Sequence, residues 1–384
     1  MAVNPLRVLH VIGAMDRGGA ETLVMNLYRN MDRDKIQFDF LVNDMDGRDY
    51  DEEIRDLGGR LHQIPRYNVA NYLTYSKACR SFFNSHPYSI VHGHIGLPAP
   101  IYLKEAQKAG AFCIAHSHAQ NFPISPSELV FRTCTYPTRF VADYFMACSE
   151  QAGIDRYGAS VCQLNRFHVL KNGIDVEQAR FSPICRSNIR NALGLPESAP
   201  VFGHVGRLTP VKNHGFLLEV FASILKELPQ AHLILVGRGE EENKLKNKAR
   251  NLGITDEVHF LGIRDDVAAV LSAIDVFIFP SIREGLANAV IEAQASGARC
   301  LISTGVPELA RISPQTIFAP LEGPSVSKWS NLAIQIYKDP LPDRSLCVND
   351  ARKMGFDIKD SAKWLANLYT NVASFSDCPN HSSN

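Results

Sequence analysis

Residues 7–13, RVLHVIG, form a short apolar run rich in β-branched side chains and ending in glycine, the pattern of a parallel strand buried on both faces. Apolar positions then recur at helical spacing across AETLVMNLYRNM (20–31), and FDFLVN (38–43) reads as the next strand. YSIVHGH (88–94), AFCIAHSH (111–118) and YFMACSE (144–150) predict later strands with helical patterns between them, and FHVLKNGID (167–175) closes the first half. Around 182–199 the strand pattern lapses and prolines gather (Pro183, Pro196, Pro200), which predicts a domain boundary. The alternation then restarts: VFGHVGR (201–207) as strand, FLLEVFASILKEL (216–228) as helix, AHLILVGRG (231–239), VHFLG (258–262), VFIFPS (276–281) and ARCLIS (298–303) as strands. DIKDSAKWLANLYTNV (357–372) is a last amphipathic helix, and the tail SDCPNHSSN is polar and expected to be disordered. The fold class is therefore α/β, with two doubly wound, Rossmann-like units of similar size.

The length of 384 residues agrees with two cores rather than one. Forty basic and forty acidic residues balance, which argues against general nucleic-acid binding. Nine scattered cysteines, odd in number and without a C-x-x-C, predict reduced thiols and a cytoplasmic location. The apolar stretch after Arg7 is too short for a signal peptide, and no run of about 18 apolar residues predicts a membrane span.

In open α/β sheets ligands bind beyond the carboxyl ends of the strands, so residues just after strands carry the candidate chemistry. In GAMDRGGAET (13–22), Gly18 and Gly19 precede a helix, where a close backbone approach and free N–H groups suit an anion; a plain strand-to-helix turn explains them equally. In HVGRLTPVKNH (204–214), Arg207 and Lys212 place two cations at a strand end, as a diphosphate requires, although solvated loop charges are the ordinary alternative. SIREGLANAVIEAQASG (281–297) has two readings. Ser281 and Glu284 match a capping box, which would put Gly285 inside a helix at a cost of about 1 kcal/mol. Otherwise the helix starts after Gly285, with Glu284 at its mouth, the Gly285, Leu286 and Ala287 amides facing an anion, and Glu292 two turns deeper, about 12 Å along.

Taken together, E-G-L-x-N-x-x-x-E-A-x-A-x-G with Arg207, Lys212 and the Gly18–Gly19 pair resembles the retaining GT-B glycosyltransferases of family 4, along nearly the whole chain, including LKNGID (170–175) and the closing helix. The opening 36 residues from Arg7 are most similar to the bacterial branch acting in exopolysaccharide and capsule assembly. The resemblance implies two domains facing a central cleft: 1–185 on the acceptor side, 196–352 binding the nucleotide sugar, and 353–376 crossing back to the first. It implies that Glu292 holds the ribose hydroxyls, Glu284 those of the transferred sugar, and Arg207 and Lys212 the diphosphate, with the Gly285–Ala287 backbone and Asn288 alongside. Gly262 and Ile263 would face the base and His116 the donor sugar, while Gly18 and Gly19 would shape the loop near phosphate and acceptor. It further implies a nucleotide-sugar donor (UDP foremost), transfer with retention, no metal cofactor, and a lipid-linked oligosaccharide acceptor at the inner membrane face. STGVPELARISP (303–314) departs from the glycine pair and glutamate of many relatives, with Glu308 as the stand-in.

Other classes are open to the residues alone. The pairs His92/His94 and His116/His118 put side chains two apart on strands, on one face, and such pairs bind zinc in hydrolases. Strand-end histidines held by hydrogen bonds are the plainer reading, and a catalytically dead sugar-binding protein is a third. The D-x-D in NDMDG (43–47) reads as a solvated turn. NFPISPSELVFRTCTYPTRF (121–140) interleaves aromatics with Arg132 and Arg139, as a membrane-touching surface would, and as ordinary helix packing also would.

Overall fold

The structure is a computed structural model that describes residues 4–16, 18–45, 47–119, 121, 124–321, 326–340 and 343–376. The polar tail beyond residue 376, including Cys378, and Asp46 of the D-x-D lie outside the described residues. The chain divides into two units: residues 1–173 with 358–384, and residues 174–357.

The first unit carries seven parallel strands: β1 (Leu6–Val11), β2 (Ile36–Val42), β3 (Leu61–Gln63), β4 (Ile90–Gly93), β5 (Phe112–Ser117), β6 (Tyr144–Ala147) and β7 (Phe167–Val169). They are ordered β3-β2-β1-β4-β5-β6-β7. The second carries β8 (Val201–Val205), β9 (His232–Val236), β10 (Val258–Gly262), β11 (Val276–Phe279), β12 (Arg299–Ser303) and β13 (Thr316–Ala319), ordered β10-β9-β8-β11-β12-β13. Both are doubly wound sheets whose strand order reverses once, between β1 and β4 and between β8 and β11, where such sheets open a crevice for ligands. Each sheet is apolar on both faces. One face of the first packs Val8, Phe38, Phe40, Ile90 and Ile114 under helix Gly19–Arg29, and the other packs Leu9, Val11, Val91, Cys113 and Phe145 under helices Tyr72–Ser85 and Ala99–Lys108. The near-continuous apolar runs in the sequence follow from this double burial.

The closing helix Ile358–Ser376 belongs to the first unit, where Ile358, Ala362, Leu365 and Tyr369 join the core beneath β1 and β4. The boundary expected at 182–199 lies elsewhere. Ser182 accepts a hydrogen bond from the Cys185 amide and caps helix Pro183–Ala192, which is part of the second unit. Proline at a first helical position is pre-organised for a helix and need not mark a linker. The chain changes unit at Gly173/Ile174 and at Asp357/Ile358. There the Ile174 amide donates to the Phe356 carbonyl at 2.8 Å, and Ile174 and Asp357 form a parallel bridge. The eight described cysteines are free thiols, and no described helix is long and apolar enough to cross a membrane.

Candidate functional site

The second unit brings Arg207, Lys212 and Glu284 to the loops that follow β8 and β11, at the reversal of its strand order. Gly206 and Arg207 follow β8, and Lys212 ends the short 3-10 helix Pro210–Lys212. After β11 the chain runs through Ser281 to Ala287 before helix Asn288–Ala295 begins, with Ala287 as an N-cap that makes no side-chain cap. The capping box is thereby excluded. Ser281 is fully buried, and its single hydroxyl hydrogen is shared between the Glu284 carboxylate and the Val211 carbonyl at 3.1 Å, so it ties the two strand-end loops together. The Ile282 amide repeats the tie, donating to Val211 O at 2.8 Å.

Glu284 and Lys212, expected to serve different parts of one ligand, form an ion pair at 2.7 Å with both side chains mostly buried. Lys212 also sits 4.8 Å from the Phe279 ring centre, and Arg207 is exposed on the same loop. Because the helix starts three residues later than Gly285, the amides without an intrahelical partner are those of Ala287, Asn288 and Ala289 rather than Gly285 and Leu286. Glu292 consequently lies one turn inside the helix, not two. The Asn288 Oδ1 is buried without a partner, a polar atom aimed at nothing within the described residues.

Glu292 lines a cavity of about 240 Å³ with Asp175, Gln178, Val205, Asp265 and Leu271. Burial alone pushes its carboxyl up to about 6. Gly262 ends β10 at φ +65, a left-handed conformation that favours glycine, and its carbonyl accepts from the Gly237 amide at 2.8 Å; Ile263 beside it is exposed. Three glycines missed in the sequence hold these strand ends close. A Cβ on Gly237 would lie 2.1 Å from Gly206 O, one on Gly239 2.2 Å from Leu208 O, and one on Gly305 2.2 Å from Ile282 O. Gly305 O in turn accepts the Glu284 amide at 3.0 Å, so the 303–314 loop positions Glu284 through its backbone. Glu308 does not join it: it is exposed and paired with Arg311 at 2.5 Å.

In the first unit Gly18 caps helix Gly19–Arg29 in an extended conformation, and a Cβ on Gly19 would meet nothing within 4 Å among the described residues. The Glu21 carboxylate lies over Gly18 and is pushed up chiefly by burial, so this helix start already carries an acidic side chain. Asp44 of the D-x-D is ion-paired with Arg48. His116 ends up fully enclosed near the end of β5, with neither ring nitrogen partnered among the described residues. It belongs to a five-histidine cluster. His10 Nδ1 lies 2.9 Å from His94 Nε2, His94 Nδ1 lies 2.8 Å from His118 Nε2, and His92 Nδ1 lies 2.6 Å from the Tyr369 hydroxyl. Burial pulls all five well down, to about 3 for His10 and about 4 for His118, so they are neutral at neutral pH. In the sequence His10 is one residue of a core strand; its register opposite His92 across β1 and β4 brings it in.

Residues 186–354 match the family described as Glycosyl transferases group 1, and residues 17–178 match Glycosyltransferase Family 4. EpsF of Bacillus subtilis (strain 168), which bears a glycosyltransferase name, is 34% identical over 371 residues, covering 94% of this chain and 96% of that protein. An Escherichia coli UDP-Gal:α-D-GlcNAc-diphosphoundecaprenol α-1,3-galactosyltransferase is 31% identical over 235 residues, 56% of this chain and 58% of that one. Among solved structures, Anabaena HepE in complex with UDP superposes with a TM-score of 0.69 at 20% identity over 97% of both chains, a likeness of fold.

Proposed function

From the membership of this chain in the group 1, family 4 glycosyltransferases, GT-B in fold, we propose the following reaction. The protein moves a sugar from a UDP-sugar to a hydroxyl of a growing, lipid-linked glycan in exopolysaccharide or capsule assembly, with retention at the anomeric carbon and no metal cofactor. The observation that carries this reading is the set of groups gathered at the β8/β11 reversal: the Lys212–Glu284 pair, exposed Arg207, the mouth of helix Asn288–Ala295, and the carboxylate of Glu292 on its cavity wall.

Glu292 accepts the ribose hydroxyls, and Gly262 and Ile263 flank the base. As the glycosidic bond to the diphosphate breaks, the sugar turns oxocarbenium-like and negative charge grows on the departing phosphate. Arg207, Lys212 and the amides of Ala287, Asn288 and Ala289 meet that charge. Lys212 exchanges its Glu284 partner for phosphate, which frees the Glu284 carboxylate for hydroxyls of the transferred sugar. The family resemblance gives His116 a contact to that sugar. UDP is supported by the nucleotide that HepE was solved with, and the lipid-linked acceptor by the undecaprenol-linked substrate in the name of the E. coli relative. The 34% identity to EpsF supports the exopolysaccharide setting.

A peripheral contact with the inner membrane face fits helix Pro126–Thr135 and its flanks, where Ile124, Leu129, Val130, Tyr136 and Phe140 are exposed beside Arg132 and Arg139. Loss of sedimentation with anionic vesicles after changing Leu129 and Phe140 to serine, or Arg132 and Arg139 to glutamine, tests it; wild type that stays in the supernatant at low salt refutes it.

Calorimetric binding of UDP, GDP and ADP with EDTA present, to wild type and Glu292→Ala, tests the whole. One nucleotide is expected to bind without metal, and Glu292→Ala to weaken it by about tenfold or more. No binding, or binding that needs a metal, overturns the proposal. The hydrolase and sugar-binding alternatives are favoured by nothing in the family match.

A further inference from the structure

We propose that His94, His116 and His118 form a binding site for a divalent cation of the zinc class, with the cavity beside them supplying the open coordination position.

The three residues each offer a ring nitrogen, and these nitrogens all lie within 4.8 Å of one another. The arrangement follows from strand register. β4 and β5 are parallel neighbours with Gly93 opposite Ala115, so the residues that follow, His94 and His116, fall side by side, and His118 lies two further along. In a tetrahedral site with Zn–N distances of about 2.0–2.1 Å the nitrogens stand roughly 3.3 Å apart. The His94–His118 contact at 2.8 Å is already near that spacing, and small ring rotations bring in the rest. Zinc, copper and nickel take imidazole ligands readily, in the neutral form that burial enforces here.

Two further observations point to a ligand. Both nitrogens of His116 are buried with no hydrogen-bond partner among the described residues, although the near-complete burial of His116 makes an unpaired imidazole costly. And a metal-bound histidine usually anchors its second nitrogen; His94 does so through Nε2, 2.9 Å from His10 Nδ1. The overlapping group His10, His92 and His94 suits a metal less. His10 and His92 are fully buried, and Tyr369 already occupies His92 Nδ1. By contrast His94, His116 and His118 line a cavity of about 150 Å³ shared with Gly96, Tyr102 and Arg156, which gives an ion an entry and a fourth ligand a place. A three-histidine site with one open position has the composition of a catalytic rather than a closed structural site.

Occupation of this site takes His116 away from any other partner. Zinc therefore acts as an inhibitor of transfer, a consequence that rests on the reading of His116 as a contact of the donor sugar. The binding itself does not rest on it.

The test uses the full chain, without an affinity tag and stripped with chelator. Zn2+ is titrated in competition with a chromophoric chelator, and the loaded protein is measured by X-ray absorption at the zinc edge. One Zn2+ per chain is expected, with three nitrogen neighbours at about 2.0–2.1 Å. His94→Gln and His118→Gln should each weaken binding about 100-fold or more. His259→Gln, at the separate His232–His259 pair, should leave it unchanged. Thermal unfolding with and without Zn2+ separates ligand loss from misfolding: the metal raises the midpoint of wild type and leaves both variants where they are. The proposal is overturned if wild type takes up no zinc at about 10 µM free metal, or if the His94 and His118 variants bind as wild type does. UDP binding in EDTA is scored separately, so either reading can fail alone.

Discussion

Replacing Glu292 by glutamine should make the protein more stable at neutral pH while weakening its nucleotide binding. In the folded chain burial pushes the Glu292 carboxyl from 4.5 up to about 6, with no cation opposing the shift. At 1.36 kcal/mol per pKa unit, holding this group ionised in place costs about 2 kcal/mol relative to the unfolded chain. For an acid raised on folding, the stability it contributes is complete below about pH 4.5 and is lost as pH climbs through about 6. Glutamine keeps the shape and never ionises. The variant should therefore exceed wild type by about 2 kcal/mol at about pH 7.5, and by less than about 1 kcal/mol at about pH 5. The chain offers a clean probe. Its two tryptophans fall in different units, Trp329 fully buried in the second and Trp364 on the closing helix of the first. In a Trp364→Phe background, urea unfolding followed by tryptophan fluorescence reports the unit that holds Glu292. A variant no more stable than wild type at about pH 7.5, or a gain that persists unchanged on acidification, would refute the burial argument. The same buried charge predicts that UDP binding by wild type tightens between about pH 5 and 7, because hydroxyl donors favour the ionised form.

Lys212→Met leaves Glu284 without its 2.7 Å partner and removes a phosphate cation; calorimetry should show UDP weakened by about tenfold or more and uridine little changed. Gly305→Ala drives a Cβ to 2.2 Å from Ile282 O, a backbone atom with little room to yield, so a loss of about 1–3 kcal/mol and weaker UDP binding are expected in denaturation and calorimetry. Asp275→Asn removes the charge held by Arg190 at 2.8 Å and Arg186 at 2.9 Å. Arg190 is fully buried, so the urea midpoint seen by Trp329 should fall by the equivalent of about 3–5 kcal/mol, and an unchanged midpoint would show the pair to be dispensable.

The strands were legible where both faces are buried, because VFIF then runs apolar without interruption and VLHV and FDFLV are broken only by one buried polar residue each, His10 and Asp39. β3 escaped because it is three residues at a sheet edge, and β13 because TIFA is too short beside Ser313-Pro314 to stand out. The prolines near 182–199 misled because one of them starts a helix. In the 281–297 stretch, the helix cost of Gly285 favoured the later start that the structure adopts, yet it could not place the start at Asn288. What stayed hidden depends on register and approach between separate segments. His10 is one apolar-strand histidine until β1 pairs with β4, and Gly305 is one loop glycine until Ile282 lies against it.

The first unit is not finished by its own first 173 residues. Its core beneath β1 and β4 is completed by Leu365 and Tyr369, which are made only after the whole second unit has been synthesised. At the ribosome, adding about 180 intervening residues at roughly 5–20 per second leaves that sheet face uncovered for some 10–40 s. The second unit, whose ends are joined by the Ile174–Phe356 hydrogen bond, can complete its fold first. A message truncated ahead of codon 358 would release a chain with one sound unit and one exposed apolar face, a substrate for proteases and chaperones.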